Sequence, residues 1–170
     1  MVARKTNDKV NSKGDSVLEI GCNQGQILHL LRSDINYTGI DVAEKCITKA
    51  LKKHQDRPSA NFSVINGENS QFQNNSFDSI ILAHVLSVTP NPNALLQESY
   101  RILKPGGTVY IVNHFSDSHF FKTLNSFCKK LSLGVDLYFP FNVVIQSKGF
   151  NIVKQKKINF FWTYVELKKT

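Results

Sequence analysis

The sequence predicts an α/β fold, a mostly parallel sheet with helices on both of its faces. Three observations predict it. Short β-branched or apolar runs alternate with segments of helical period from Ser16 onward. The run Asp78 to Ala83 is nearly all apolar, as in a central strand covered on both sides. The stretch VLEIGCNQGQIL, Val17 to Leu28, followed by YTGIDVAEK, Tyr37 to Lys45, reads as strand, tight glycine turn, helix and a second strand ending in an acid.

The elements follow in order. The first strand is Ser16 to Ile20. A helix is expected from about Gln24 to Ser33, with Ile27, Leu28, Leu30 and Leu31 on its apolar side. The second strand is Tyr37 to Ile40, and a helix follows from Ala43 to His54. Phe62 and Val64 alternate in a third strand, Asn61 to Ile65. After the fourth strand, a helix from Pro92 to Leu103 leads to Lys104-Pro105-Gly106-Gly107, a turn by its chemistry. The fifth strand is Thr108 to Asn113. A broad apolar stripe of Phe120, Phe121, Leu124, Phe127, Cys128 and Leu131 marks a helix from Phe120 to Leu133. A short helix, Phe141 to Lys148, is closed by Gly149. Asn151 to Lys156 and Asn159 to Leu167 read as the last two strands.

The 170 residues fit one domain: a basic lead over 1–15, a cofactor-binding core over 16–115, and a substrate region with a terminal hairpin over 116–170. No apolar run approaches the roughly 18 residues of a membrane span. The opening residues lack the apolar core of a secretory signal. Cys22, Cys46 and Cys128 are odd in number and widely spaced, which suits reduced cytoplasmic thiols and offers no metal pattern. The net charge of +8 is uneven. Four basic residues and one acid lie in 1–13, and nine lysines stand against Asp136 and Glu166 over 119–170. A basic tail of this kind suits a membrane surface, nucleic acid, or nothing more specific than a soluble lysine-rich face.

The turn after the first strand is the chemical centre of the sequence. Gly21 allows a sharp turn and close approach of a ligand to the main chain. Asn23 is one of the few residues besides glycine that tolerate positive φ. Asp41 ends the second strand, placed to accept hydrogen bonds from ribose hydroxyls of a nucleotide-like cofactor. His84 and His114 each follow a central strand, at the carboxyl edge where ligands bind in open α/β sheets; either suits orienting an amine or taking its proton.

Gly21, Asn23 and Gly25, with Glu19 two residues ahead, resemble the G-x-G-x-G loop of class I S-adenosylmethionine-dependent methyltransferases. NSFDSIILAHVLSV, Asn75 to Val88, and LLQESYRILKPGGTVYIVNHF, Leu95 to Phe115, resemble later segments of that family in order and spacing. The resemblance implies a Rossmann-like seven-stranded sheet with an antiparallel last strand, and S-adenosyl-L-methionine as cofactor. It implies that Glu19 organises the loop and that Gly21, Cys22, Asn23, Gly25, Asp41, Val42 and Ala83 surround the cofactor. It also implies that Glu68 accepts from the adenine amino group, with Asn69 adding a backbone contact.

A finer resemblance concerns the acceptor. AHVLSVTPNP, Ala83 to Pro92, IVNHFSD, Ile111 to Asp117, and LSLGVDLYFPFNVVIQSKGF, Leu131 to Phe150, look like bacterial phospholipid N-methyltransferases. The expected reaction is methyl transfer to the amine of phosphatidylethanolamine and its partly methylated forms. The alternatives are a quinone-like or other small soluble acceptor, or a non-catalytic binding domain. The resemblance further implies a monomer attached peripherally to anionic membrane on the cytoplasmic side, with no nucleic-acid partner. Tyr138, Phe139 and Phe141 are candidate aromatic faces for a methylated ammonium. Members of that family have a longer lead before the first strand, so the short lead here predicts a less covered cofactor.

Overall fold

The computed structural model describes residues 14–116, 139–145, 149–159 and 161–170. Its strands are β1 (Ser16–Ile20), β2 (Asn36–Asp41), β3 (Ala60–Val64), β4 (Phe77–Ala83), β5 (Leu103–His114), β6 (Phe150–Lys157) and β7 (Trp162–Lys169). They form one sheet in the order β3-β2-β1-β4-β5-β7-β6. The pairings among β1 to β5 are parallel, and β7 runs antiparallel to both β5 and β6. This is the expected Rossmann-like class I sheet. The helices are α1 (Glu44–Lys53), α2 (Pro92–Ile102) and the short α3 (Asn142–Ile145). The predicted helix Phe120 to Leu133, Cys128, Tyr138 and the lysines at 122, 129, 130 and 148 lie outside the described residues.

Strand alternation sorts the core into two halves. Leu18, Ile20, Ile80, Leu82, Val109 and Ile111 point to one face, where they pack against Leu95, Leu96 and Ile102 of α2. Val17, Tyr37, Ile81, Tyr110 and Tyr164 point to the other, where Leu28, Leu31, Ile35 and the α1 residues Ile47 and Ala50 cover them. Both faces are therefore apolar, which is why β4 reads as an unbroken hydrophobic run.

Two local expectations change. The predicted helix Gln24 to Ser33 is a loop with a single 3₁₀ turn at Leu28–Leu30. Arg57, from the α1–β3 connection, donates to the carbonyls of Leu28, Leu31 and Arg32, three acceptors that a continuing helix would use internally. Leu28, Leu31 and Ile35 still bury, so hydrophobic spacing is satisfied without the helix. The Lys104–Gly107 turn is absorbed into β5. Leu103 pairs with Phe77 and Thr108 with Ser79, so four residues bulge opposite Asp78. Lys104 Nζ holds both Asp78 carboxylate oxygens, at 2.9 and 2.8 Å.

Candidate functional site

Three left-handed residues shape the turn after β1: Gly21 (φ 73°), Asn23 (φ 51°) and Gly25 (φ 66°). The N–H groups of Gly21 and Cys22 donate to the Ile40 carbonyl at 2.8 and 3.0 Å, tying the turn to the end of β2. Asp41 completes the tie. Its Oδ2 accepts from the Asn23 N–H and its Oδ1 from the Ala43 N–H, both at 2.9 Å. The loop is thus organised by a carboxylate and not by the start of a helix. A Cβ on Gly25 would lie 2.8 Å from Phe62 Cζ and 2.9 Å from His54 Nε2. Gly25 serves close packing beneath the turn, and it does not line the cavity described below.

Glu19, next to last in β1, has its side chain buried and accepts a hydrogen bond from the Tyr37 hydroxyl. Burial pushes its carboxyl up to about 8; the Tyr37 bond opposes this and the nearby Asp41 charge adds to it. Burial likewise pushes the Cys22 thiol up to about 12, so this cysteine is a neutral wall and no nucleophile.

The loop after β3 carries Glu68. Its Oε1 accepts from Thr89 Oγ1 at 2.5 Å and the Asn91 N–H at 2.9 Å, and these bonds hold its carboxyl below the usual range. The same loop is pinned to α2 through Glu98, which accepts from the Ser70 N–H and hydroxyl at 2.9 and 2.6 Å. The Arg101 bond, with those from Ser70, lowers the Glu98 carboxyl to about 2 against the effect of its burial. Asn69 turns outward: its Oδ1 accepts from Gln71 Nε2, and Asn66 and Gly67 line the cavity in its place.

At the carboxyl edge of β4, His84 adopts φ 60° while its N–H donates to the Val112 carbonyl at 2.7 Å. A left-handed histidine held by a neighbouring strand is the kind of local strain that gathers at functional sites. Its imidazole packs edge-on to Trp162, ring centres 4.2 Å apart. His114 also contacts that indole, ring centres 6.0 Å apart, set there by its pairing with Trp162 across β5 and β7, and it does not line the cavity. Burial first, and His114 second, lower the His84 pKa, so its ring is neutral at neutral pH.

These residues surround one cavity of about 820 Å³. Of the residues singled out in the sequence, Glu19, Gly21, Cys22, Asn23, Asp41, Val42, Glu68, Ala83 and His84 line it. Sequence reasoning missed its second wall: Ile81, Tyr110, Val112, Ile158, Trp162 and Tyr164. The lone tryptophan at the start of the last strand was the available signal. Phe139 and Phe141, the expected aromatic faces, instead pack with Phe115 in the core, ring centres 5.7 and 4.9 Å away.

The charge of the lining is one-sided. Glu19, Asp41 and Glu68 face the cavity, and no Lys or Arg is among the described residues lining it, in a chain of net +8. Residues 18–111 match the family model described as a methyltransferase domain.

The chain belongs to the methyltransferase domain family.

A phosphatidylethanolamine N-methyltransferase of Cereibacter sphaeroides is 31% identical over 116 residues, 66% of this chain and 57% of that protein. The thiol S-methyltransferase TMT1B of Rattus norvegicus is also 31% identical, over 64% of this chain and 46% of its own length. The chain thus spans about half the length of these relatives. An S-adenosylmethionine-dependent methyltransferase of Methanosarcina mazei superposes with a TM-score of 0.76 at 21% identity, covering 95% of each chain. The cofactor of this methyltransferase domain is S-adenosylmethionine, and the residues present fit it. The volume lies within the roughly 300–1,000 Å³ of small-molecule sites. The acid lining suits a molecule that carries a sulfonium and an amine. Val42 is 70% exposed beside Asp41, an apolar side chain left open to a ligand's ring.

Proposed function

We propose that this protein transfers methyl groups to the amine of phosphatidylethanolamine and of its partly methylated forms. The observation that carries this reading is the charge of the cavity: the acid side chains Asp41 and Glu68, a Glu19 carboxyl that its burial keeps protonated near neutral pH, and no Lys or Arg among the described lining, inside a basic protein. An amine headgroup and its methylated ammonium products gain from such a wall, whereas a thiolate or phenolate acceptor would be repelled by it. The identity to the phosphatidylethanolamine enzyme supports the same choice.

S-adenosylmethionine supplies an activated methyl group, so the protein's task is to position, to exclude water and to manage one proton. Asp41 and Glu68 hold the polar ends of the cofactor site, and Glu19 sits behind the turn. The acceptor reaches neutral pH as an ammonium and must lose a proton before it can attack. His84, neutral and facing the cavity beside Ala83, is the base that takes it. His114, in ring contact with Trp162, supports the ring arrangement.

The lipid is met at a surface. None of the described helices is long and apolar enough to cross a membrane. The hairpin beside the cavity exposes Lys154, Lys156 and Lys157 on β6 and leaves Phe161 63% exposed. Its neighbours Ile158 and Trp162 line the cavity, so basic and apolar contacts gather near the entrance. Lysines near an anionic surface contribute about 1 kcal/mol each, screened beyond roughly 8 Å at physiological salt.

The test is transfer of labelled methyl groups from S-adenosylmethionine into phosphatidylethanolamine presented in anionic vesicles. Lipid-extractable label and flotation that fades as salt rises are expected. Label entering an alkyl thiol or a quinol but not the lipid would replace this reading with a small-molecule methyltransferase, a choice that the thiol S-methyltransferase relative keeps in view. Absence of cofactor affinity at millimolar concentration would instead make the chain a non-catalytic binding domain.

A further inference from the structure

We propose that the indole of Trp162, in ring contact with both His84 and His114, is the binding face for the ammonium group of the methyl acceptor and of its methylated products. The proposal takes the chemistry of the ligand from the amine reading above and adds the residue that recognises it.

The position is set by the sheet. Trp162 opens β7 opposite His114 of β5, at the same edge at which β4 delivers Ala83 and His84. The cofactor loop sits over β1 and β2, so β4 separates the two ends of the cavity in the strand order. His84 lies at that boundary and touches the indole, with ring centres 4.2 Å apart and planes at 67°. His114 meets the same indole at 72°. Contacts with the two imidazoles, both tilted steeply to the indole plane, fix its orientation while its ring remains part of the cavity wall.

The ring is not explained by packing. Trp162 is only half-buried and belongs to neither buried cluster, unlike Tyr110 and Tyr164 beside it. The Tyr164 hydroxyl is engaged by Glu166 at 2.8 Å. Phe139 and Phe141 are occupied in the core. Among the described aromatic rings of the wall, the indole therefore offers the strongest face for a cation, since Trp exceeds Tyr and Phe in this interaction. No Lys or Arg among the described lining competes for it.

Trp162 is the only tryptophan of the chain, so its emission reports on this site directly. The probes are choline and 3,3-dimethylbutan-1-ol, which share a shape and differ in charge, each titrated into the protein saturated with S-adenosylhomocysteine. Choline is expected to change the emission saturably and to bind at least about tenfold more tightly than the neutral probe. By calorimetry, Trp162→Leu should lose choline affinity by about tenfold or more, and Trp162→Phe by less. Both variants should keep S-adenosylmethionine affinity within about twofold. Equal binding of the two probes overturns the proposal, as does unchanged choline affinity in Trp162→Leu. If Trp162→Leu fails to fold, the unsubstituted protein with the two probes still decides. Choline discrimination without label transfer to phosphatidylethanolamine would remove the lipid reading and leave this site standing. Transfer by Trp162→Leu at an unchanged KM for the lipid would remove this site and leave the lipid reading standing.

Discussion

The two ends of the cavity are built by different means. At the cofactor end the main chain does the shaping: Gly21, Asn23 and Gly25 all take positive φ, and Asp41 ties the N–H groups of Asn23 and Ala43 together. At the other end side chains do it, with His84, Trp162 and Tyr164 brought side by side by strands distant in sequence. A backbone-built site demands particular residues at fixed short spacing. A side-chain-built site tolerates exchange of rings and can change its ligand while the cofactor end stays as it is.

The largest expected effect is at the carboxylate that organises the turn. Asp41→Ala should weaken S-adenosylmethionine binding by about 100-fold or more, since it removes two bonds that organise the loop as well as the proposed ribose contact. Calorimetry that found less than a tenfold loss would mean that the turn holds its shape without the carboxylate. Next comes Gly25→Ala, which combines φ 66° with clashes against Phe62 and His54. It should cost about 2–4 kcal/mol in stability by denaturant melt. A near-neutral result would show the packing under the turn to be looser than the distances imply.

Glu19 gives a smaller, pH-dependent effect. Its carboxyl titrates near 8 when folded against an ordinary 4.5, so the folded protein keeps a proton that the unfolded chain has released. Its contribution to the stability of the cofactor-free protein is therefore greatest below about 4.5 and falls as pH rises toward about 8. A cationic cofactor favours the ionised form, so binding should tighten between pH 6 and 8.5 with release of a proton. Glu19→Gln should flatten both trends, read by denaturation and by calorimetry in buffers of different ionisation enthalpy. The smallest effect is expected from Asn23→Gly, within about 1 kcal/mol in stability, because asparagine already accepts the left-handed conformation. A large gain in cofactor affinity in that variant would show that the Asn23 side chain obstructs the site.

The same contrast explains what was legible beforehand. The apolar run Ile80 to Leu82 and the glycine–acid spacing from Gly21 to Asp41 are local signals, and the sheet and the turn follow from them. The segment after β1 has helical spacing, yet Arg57 takes its carbonyls from outside, and no local pattern announces a distant guanidinium. Asn69, expected to add a backbone contact beside Glu68, is not among the lining residues, where Asn66 and Gly67 stand, because the course of a loop depends on partners that local pattern does not show. Trp162 reaches the cavity only through the antiparallel register with β5, which periodicity alone does not supply.

Among the described residues β6 closes the sheet on one side, paired to β7 alone. Its outer backbone groups are therefore a template onto which another extended chain can pair. Lys154, Lys156 and Lys157 crowd that rim, and the register slips between Ile152 and Lys154. Charge and irregularity are what protein sheets use to discourage strand-by-strand self-association. The exposed Ile152 and Val153 make such protection necessary here. Neutralising these three lysines should therefore yield a protein that aggregates on storage.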